Sequence, residues 1–276
     1  MTLPPRDWTE LHWPAFETLV SGTPGTARWI AVLPLAATEQ HGPHLPLGTD
    51  VYIAEAYLAR VRALLPQALP VTFLPVQPVG ISTEHIDYPG TLTVPTSVAL
   101  KSWRAIGDSV ARAGIRKLVI VTSHGGNSAA MTLVAQDLRA DHRMLVVTTS
   151  WSRFGAPDGL FSSDELRHGI HGGAVETSIM QARHPELVRS DAIANFASSG
   201  AAMESSNRVL STQRPAPLAW QTQDLNLSGA VGDATQASAE KGERVLEHGA
   251  RGFCALLQDV DNFDVNTLRD GPLARR

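Results

Sequence analysis

Apolar and polar positions fall into blocks along this chain. Four short, nearly continuous apolar runs, at 29–35, 71–76, 117–122 and 144–149, have the length of strands buried on both faces. Between them, apolar residues recur at helical spacing. One such stretch runs from Val51 to about Leu65 and is stopped by Pro66. Another is opened by Pro95-Thr96 and runs from about Ser97 to Ala113, with Gly114 placed as a C′ residue. A third, rich in Ala, Met, Leu and Val, starts after Ser128. Further helices are predicted from near 174 to about Arg183 and from about Ala234 to Leu257, the latter with Gly242 and Gly252 inside it. Trp13, Phe16 and Leu19 share a helical spacing that predicts a short opening helix over 8–21, and 91–94 alternates like a short strand. Residues 198–228 have little periodicity and read as an irregular excursion.

Strands alternating with helices predict an α/β fold: a mostly parallel sheet with helices on both faces. No internal repeat, low-complexity tract or linker interrupts it, so residues 1–276 are expected to form a single domain. Composition agrees with a globular core, 43% hydrophobic and 18% charged. A net charge of −4 gives no electrostatic reason to expect nucleic acid as a partner. The single cysteine, Cys254, excludes an intrachain disulfide and a Cys-x-x-Cys metal site, so any metal must be held by His, Asp and Glu. The first residues lack the apolar core of a signal peptide, and no run reaches transmembrane length. A cytoplasmic protein without membrane partners is the expectation.

The polar residues with chemical potential sit where strands end. Thr38-Glu39-Gln40-His41-Gly42-Pro43-His44-Leu45-Pro46-Leu47-Gly48-Thr49-Asp50 joins the first strand to the first helix. Glu39 and His41, two apart in an extended segment, point to one side. Carboxylate mixed with imidazole suits zinc, manganese or iron. Ser123-His124-Gly125-Gly126-Asn127-Ser128 follows the third strand, and His171 and Glu176 flank a later helix start. Right-handed crossovers bring such loops to one edge of a parallel sheet, where ligands bind in open α/β folds. Each residue also has a plainer reading. Asp50 could cap a helix, Glu176 could be a helix-face charge, and His124 could be a structural donor beside a turn.

These residues resemble the creatininase (creatinine amidohydrolase) family. Glu39-Gln40-His41-Gly42-Pro43-His44-Leu45-Pro46 with Asp50 is similar to its signature, and the segments 123–128 and 171–178 to its second and third motifs. The stretch 233–242 is similar to its C-terminal helix. The resemblance implies a metal-dependent amidohydrolase with two divalent ions per subunit, zinc first and manganese or iron as alternatives. It also implies a small-molecule amide substrate and a homo-oligomer, commonly a hexamer. By position, Glu39 and His41 would each bind one ion, Asp50 would bridge both, and His124 would complete the first site. His171 would contact substrate or shuttle a proton.

Two departures from creatininase stand out. Gly126 replaces a metal-binding glutamate, which leaves two alternatives: Glu176 or water supplies the missing ligand, or the second site is weak. Arg167 replaces a tryptophan that closes over creatinine, whereas Trp151 matches another. The Gly-Gly form of the second motif is like that of formamidopyrimidine deformylases and of a mycofactocin-maturation peptidase, which points away from creatinine as substrate.

The implied chemistry is hydrolysis of a small, linear or cyclic, amide by metal-activated water. Glu176 or His171 would take the water proton and return it to the leaving nitrogen. Glu176 is open to either role, ligand or a carboxylate that only orients His171 or the helix start. His44 is expected to shape its loop, and Glu84, His85, Trp151 and Asn127 to line the substrate pocket. Arg167 could pair with an anionic substrate, with a solvated loop position as its default. Alternatives are creatinine hydrolysis proper, a formamide deformylase or peptidase, and a non-catalytic small-molecule-binding protein on the same scaffold. A serine hydrolase lacks support, because no Gly-x-Ser-x-Gly elbow follows a strand.

Overall fold

The structure, a computed structural model, describes residues 3–17, 28–213, 215–269 and 271–272. Strands β1 (Ile30–Leu35), β2 (Val71–Phe73), β3 (Lys117–Thr122) and β4 (Leu145–Ser150) form one parallel sheet in the order β2-β1-β3-β4. All six residues of β1 and of β3 are buried, as expected for central parallel strands covered on both faces.

The period-two alternation of side chains divides the core. Ala31, Leu33, Leu118 and Ile120 pack with Trp103 and Val110 of α2 (Thr96–Arg112) and with Met131, Val134 and Leu138 of α3 (Ser128–His142). Ile30, Val32, Val119 and Val121 belong to the opposite cluster. There they meet α1 (Thr49–Leu64), α5 (Ala174–Arg183) and the long α8 (Ala239–Asn262). Phe253 and Leu257 of α8 are fully buried, each contributing about 1.5–3 kcal/mol by area. Gly242 is what lets α8 close on α5, since a Cβ there would lie 2.0 Å from the carbonyl oxygen of Ser178. That approach offsets the roughly 1 kcal/mol that glycine costs inside a helix.

Several predicted elements come out shorter or shifted. Trp8–Glu10 and Trp13–Phe16 are two separate 3₁₀ turns rather than one helix, and the prediction's Leu19 lies outside the described residues. β2 stops at Phe73, although Leu74 and Gln77 still donate to Val32 and Pro34. The donor to Pro34 is Gln77 where a regular ladder would use Val76, so one extra residue interrupts the pairing. Residues 91–94 make a single bridge, Leu92 to Thr38, and no strand. The last helix begins at Ala239 because Ser238 caps it, its hydroxyl accepting from the Lys241 N–H; residues Ala234–Gln236 form a separate 3₁₀ turn. Two stretches read as loops contain helices, α4 (Ser163–His168), α6 (Ser199–Ser206) and α7 (Thr222–Leu225). Two-residue strands β5 (Asn195–Phe196) and β8 (Gly232–Asp233) pair with each other, as do β6 (Leu210–Ser211) and β7 (Ala216–Pro217). None of the described helices is long and apolar enough to cross a membrane.

What positions the site is the register. Leu35 pairs with Thr122, and Thr122 with Ser150, so β1, β3 and β4 end level with one another. The loops that follow them therefore open onto the same edge.

Candidate metal centre

The loop after β1 delivers Glu39 and His41. The Glu39 N–H donates to the Leu47 carbonyl at 2.9 Å, closing the loop on itself. His41 Nδ1 lies 3.0 Å from the Glu39 carbonyl, which makes it the donor and leaves Nε2 without its proton. Asp50 lies in the first turn of α1, after the N-cap Gly48, and so does not cap the helix itself. The Ser123 hydroxyl donates to the Asp50 carbonyl at 2.8 Å, tying the end of β3 to the start of α1. Thr122 clasps the backbone of His124, accepting from its N–H and donating to its carbonyl. His124 Nε2 donates to the Ile81 carbonyl at 2.7 Å, which turns Nδ1 toward Glu39 Oε1 at 3.1 Å and Asp50 Oδ2 at 3.6 Å.

His171 comes from outside the sheet. Its backbone bridges to Val231, its Nε2 donates to the Gln40 carbonyl at 2.7 Å, and its Nδ1 lies 3.7 Å from Glu39 Oε1. Glu176, in the first turn of α5, accepts from the Gly172 N–H at 2.6 Å and lies 3.9 Å from His41 Nε2.

Glu39, His41, Asp50, His124, His171 and Glu176 therefore meet. Among the described residues, three groups have ligand atoms within 4.8 Å of one another: Glu39 with Asp50 and His124, His41 with Asp50 and Glu176, and Glu39 with His41 and His171. Asp50 belongs to the first two. Glu39 Oε1 and Oε2, His41 Nε2 and Asp50 Oδ2 are all buried without a hydrogen-bond partner. Buried acceptors left in this state are costly, and these four converge. Carboxylates and imidazoles so arranged fit a divalent cation.

The electrostatics also lack positive charge. Burial and then Glu39 raise the Asp50 carboxyl well above its ordinary value. Burial favours neutral His124, but Glu39, followed by Asp50 and Glu84, pushes it up to about 10. A proton on that imidazole takes the place a cation would fill. Burial would also raise Glu39, yet His124, His85 and His171 together hold it well below the carboxylate range. Desolvation lowers His171 strongly and brings His85 to about 4.

These groups open into a cavity of about 720 Å³. Glu84, His85 and Trp151 line it, with Tyr57, Gln213 and Trp220. Asn127 does not. It is fully buried, accepting from the Ile81 N–H and donating to the Ala36 carbonyl and the Thr122 hydroxyl, so it locks three loops together beneath the site. Arg167 faces solvent and pairs with Glu204 at 2.7 Å. His44 is buried against Phe196, with Nε2 2.9 Å from the Thr177 hydroxyl, and so braces its loop on α5.

Two positioning residues went unread in the sequence. Gln40 accepts from Gly42 and donates to the Gly229 carbonyl, and its second N–H reaches His85 Nδ1 at 2.8 Å. His85 must then carry its proton on Nε2, 3.2 Å from Glu39 Oε1. Glu165, 3% exposed, accepts from the N–H groups of Ala174 and Asp233, both at 2.6 Å. The legible signal was Ser162-x-x-Glu165, a helix-start pattern, and Ser162 does cap α4.

A family-wide sequence model described as creatininase, creatinine amidohydrolase, matches residues 9–257. The chain is 32% identical over 235 residues to the mycofactocin precursor peptide peptidase of Mycobacterium tuberculosis, covering 83% of this chain and 81% of that one. It is 28% identical over 265 residues to the creatinine amidohydrolase of Pseudomonas putida, covering 91% and 95%. Among solved structures, creatinine amidohydrolase (creatininase) superposes with a TM-score of 0.74 at 23% identity, covering 94% of this chain and 99% of that one. Other creatininase structures are described as a Mn form and a Zn-Zn type.

Proposed function

The chain belongs to the creatininase family, and from that premise we propose how this metal-dependent amidohydrolase divides its labour. Glu39, Asp50 and His124 would hold one divalent ion and His41, Asp50 and Glu176 a second, with Asp50 shared between them. The observation that carries this reading is the convergence of four buried, partnerless acceptor atoms, on Glu39, His41 and Asp50, at one point. Glu176 supplies the ligand that Gly126 cannot. When bound, the ions polarise the scissile carbonyl and lower the pKa of water from 15.7 to about 7.

The remaining work belongs to side chains. The Gln40 carbonyl fixes the proton of His171 on Nε2, so Nδ1 is free to take the proton of the attacking water and return it to the leaving nitrogen. Gln40 orients the His85 ring beside Glu39, and Asn127 holds the loops beneath. Tyr57, Trp151 and Trp220 give the cavity an aromatic wall.

The substrate is a small amide, linear or cyclic. Two features support a member of the family other than creatininase: Gly126, and an Arg167 that is turned away to Glu204. Zinc is the proposed metal, with manganese or iron as substitutes. The proposed assembly is a homohexamer, supported by the family resemblance, and light scattering on the purified protein tests it.

Elemental analysis of the purified protein is expected to find two ions per chain. A metal-loaded screen of lactams, cyclic ureas, formamides and short peptides is expected to yield a hydrolysis that chelators abolish. Hydrolysis that resists chelators but yields to a serine-directed inhibitor overturns the reading, and a protein that takes up no metal supports a binding module instead.

A further inference from the structure

The irregular stretch over residues 198–228 reaches the centre through one hydroxyl. Thr222 opens α7, where Gln221 and Asp224 form a reciprocal capping box that fixes the turn. It is fully buried and lies outside the cavity wall. Its Oγ1 lies 2.9 Å from the Glu84 carbonyl oxygen and 2.8 Å from His85 Nδ1.

Gln40 decides the direction of that second contact. Its amide oxygen accepts from the Gly42 N–H and one of its N–H groups goes to the Gly229 carbonyl, so the other meets His85 Nδ1. Nδ1 is therefore an acceptor. The Thr222 hydroxyl meets it as a second donor and shares its one proton with the neighbouring Glu84 carbonyl. Two donors aimed at one lone pair keep the ring proton off Nδ1 and on Nε2. Nε2 lies 3.2 Å from Glu39 Oε1, and the ring backs His171 with centroids 4.2 Å apart. Neither Glu39 oxygen has a hydrogen-bond partner, so the charges on the imidazoles around it set where the carboxylate points. The opposite tautomer of His85 would turn a bare lone pair on Glu39 and offer an ion a competing imidazole.

On the metal-dependent amidohydrolase reading, we propose that Thr222 is a positioning residue for the first ion. Together with Gln40 it locks His85 with its N–H toward Glu39, and so keeps Glu39 in place as a ligand while touching neither ion nor substrate. The group His41, Asp50 and Glu176 does not include Glu39, so the second ion is spared. Two other bonds tie this stretch to the turn that carries His85, from Gln223 to Asp87 and from the Tyr88 hydroxyl to the Leu227 carbonyl. Losing the Thr222 hydroxyl therefore leaves the stretch attached.

Nitrogen NMR of histidine-labelled, chelator-stripped protein tests this, with zinc added in competition with a chelator of known affinity. His124 reports the first site and His41 the second. In the metal-free wild type near neutral pH, His85 is expected as the neutral Nε2–H tautomer. Thr222→Val keeps the shape and removes the donor. It is expected to weaken the first ion about tenfold, the lower end of the range for partners that orient a ligand, and to leave the second unchanged. Thr222→Ser is expected to restore the loss. A wild-type His85 protonated on Nδ1, wild-type zinc affinity in Thr222→Val, equal weakening of both sites, or no rescue by Thr222→Ser overturns the proposal. The tautomer is read on the wild type, so the proposal stays exposed even where Thr222→Val does not fold. Wild type that takes up no zinc removes the metal reading, and the proposal falls with it. Normal uptake that Thr222→Val does not alter removes the proposal alone.

Discussion

The two sides of the proposed metal centre are built differently. Glu39, Asp50 and His124 hang from the ends of β1 and β3 and the first turn of α1, where level strands and short loops fix them. All three are 5% exposed or less. His171 and Glu176 come from a segment that touches the sheet only indirectly. It is held by the Val231 bridge and by Glu165, which grips the N–H groups of Ala174 and Asp233. The Glu176 side chain is 22% exposed. The first group takes its rigidity wholly from the core, whereas the second shares His41 and Asp50 with that side and takes Glu176 from a segment braced by a buried carboxylate between loops. The first should therefore keep its ion more tightly than the second.

The largest expected effect breaks both sides together. Asp50 is the residue they share, so Asp50→Ala should remove both ions and reduce amide hydrolysis to background, as elemental analysis and a coupled assay would show. Retention of either ion in full would end its bridging role. Glu176→Gln should divide the pair instead. One ion per chain is expected to remain, with catalysis reduced by more than about a hundredfold, beyond the cost usual for a residue that only orients a ligand. Loss of both ions would show that the two sides are not separable.

Glu165 tests the origin of the difference. Glu165→Ala strands two backbone donors and should lower stability by about 2–5 kcal/mol, measured by denaturant unfolding. In Glu165→Gln, which keeps the shape, affinity for the second ion is expected to fall by about ten- to hundredfold while the first is unchanged. Equal weakening of both sites would mean that the segment braces the whole centre.

The same contrast governs what could be read from sequence. Elements tied to the sheet were legible, because a parallel strand must be a continuous apolar run and its following loop must lie at the carboxyl edge. Glu39, His41, Asp50 and His124 could be placed at one edge on that argument alone. Glu165 could not. Its role depends on where residues 174 and 233 meet, a contact that no periodicity encodes; Ser162-x-x-Glu165 marks only the start of α4. Asn127 was misplaced for a related reason. It follows the second motif directly, but the 3₁₀ turn Gly125–Asn127 puts it beneath the cavity, where its amide satisfies three loops. Gln40 sat inside the quoted signature without a role, since an amide's partners are set entirely by tertiary structure.

The smallest expected effect concerns the protein stripped of metal. Burial, followed by Glu39, raises the Asp50 carboxyl in the folded state above its unfolded value of 3.8. Stability from this group is therefore fully present below that value and is lost as pH rises through the folded pKa. At any pH above the unfolded value, the metal-free fold carries the cost of keeping this carboxyl out of water, as a held proton or as a buried charge. Asp50→Asn removes the charge and keeps the shape, so it should raise the melting temperature of the chelator-treated protein while abolishing metal uptake. The gain is about 2–4 °C for each kcal/mol recovered. Glu176→Gln should do little in the same measurement, because Glu176 keeps both water and the Gly172 N–H as partners. If the two variants shift the melting temperature equally, the contrast between the sides lies in geometry alone and not in how far each charge is desolvated.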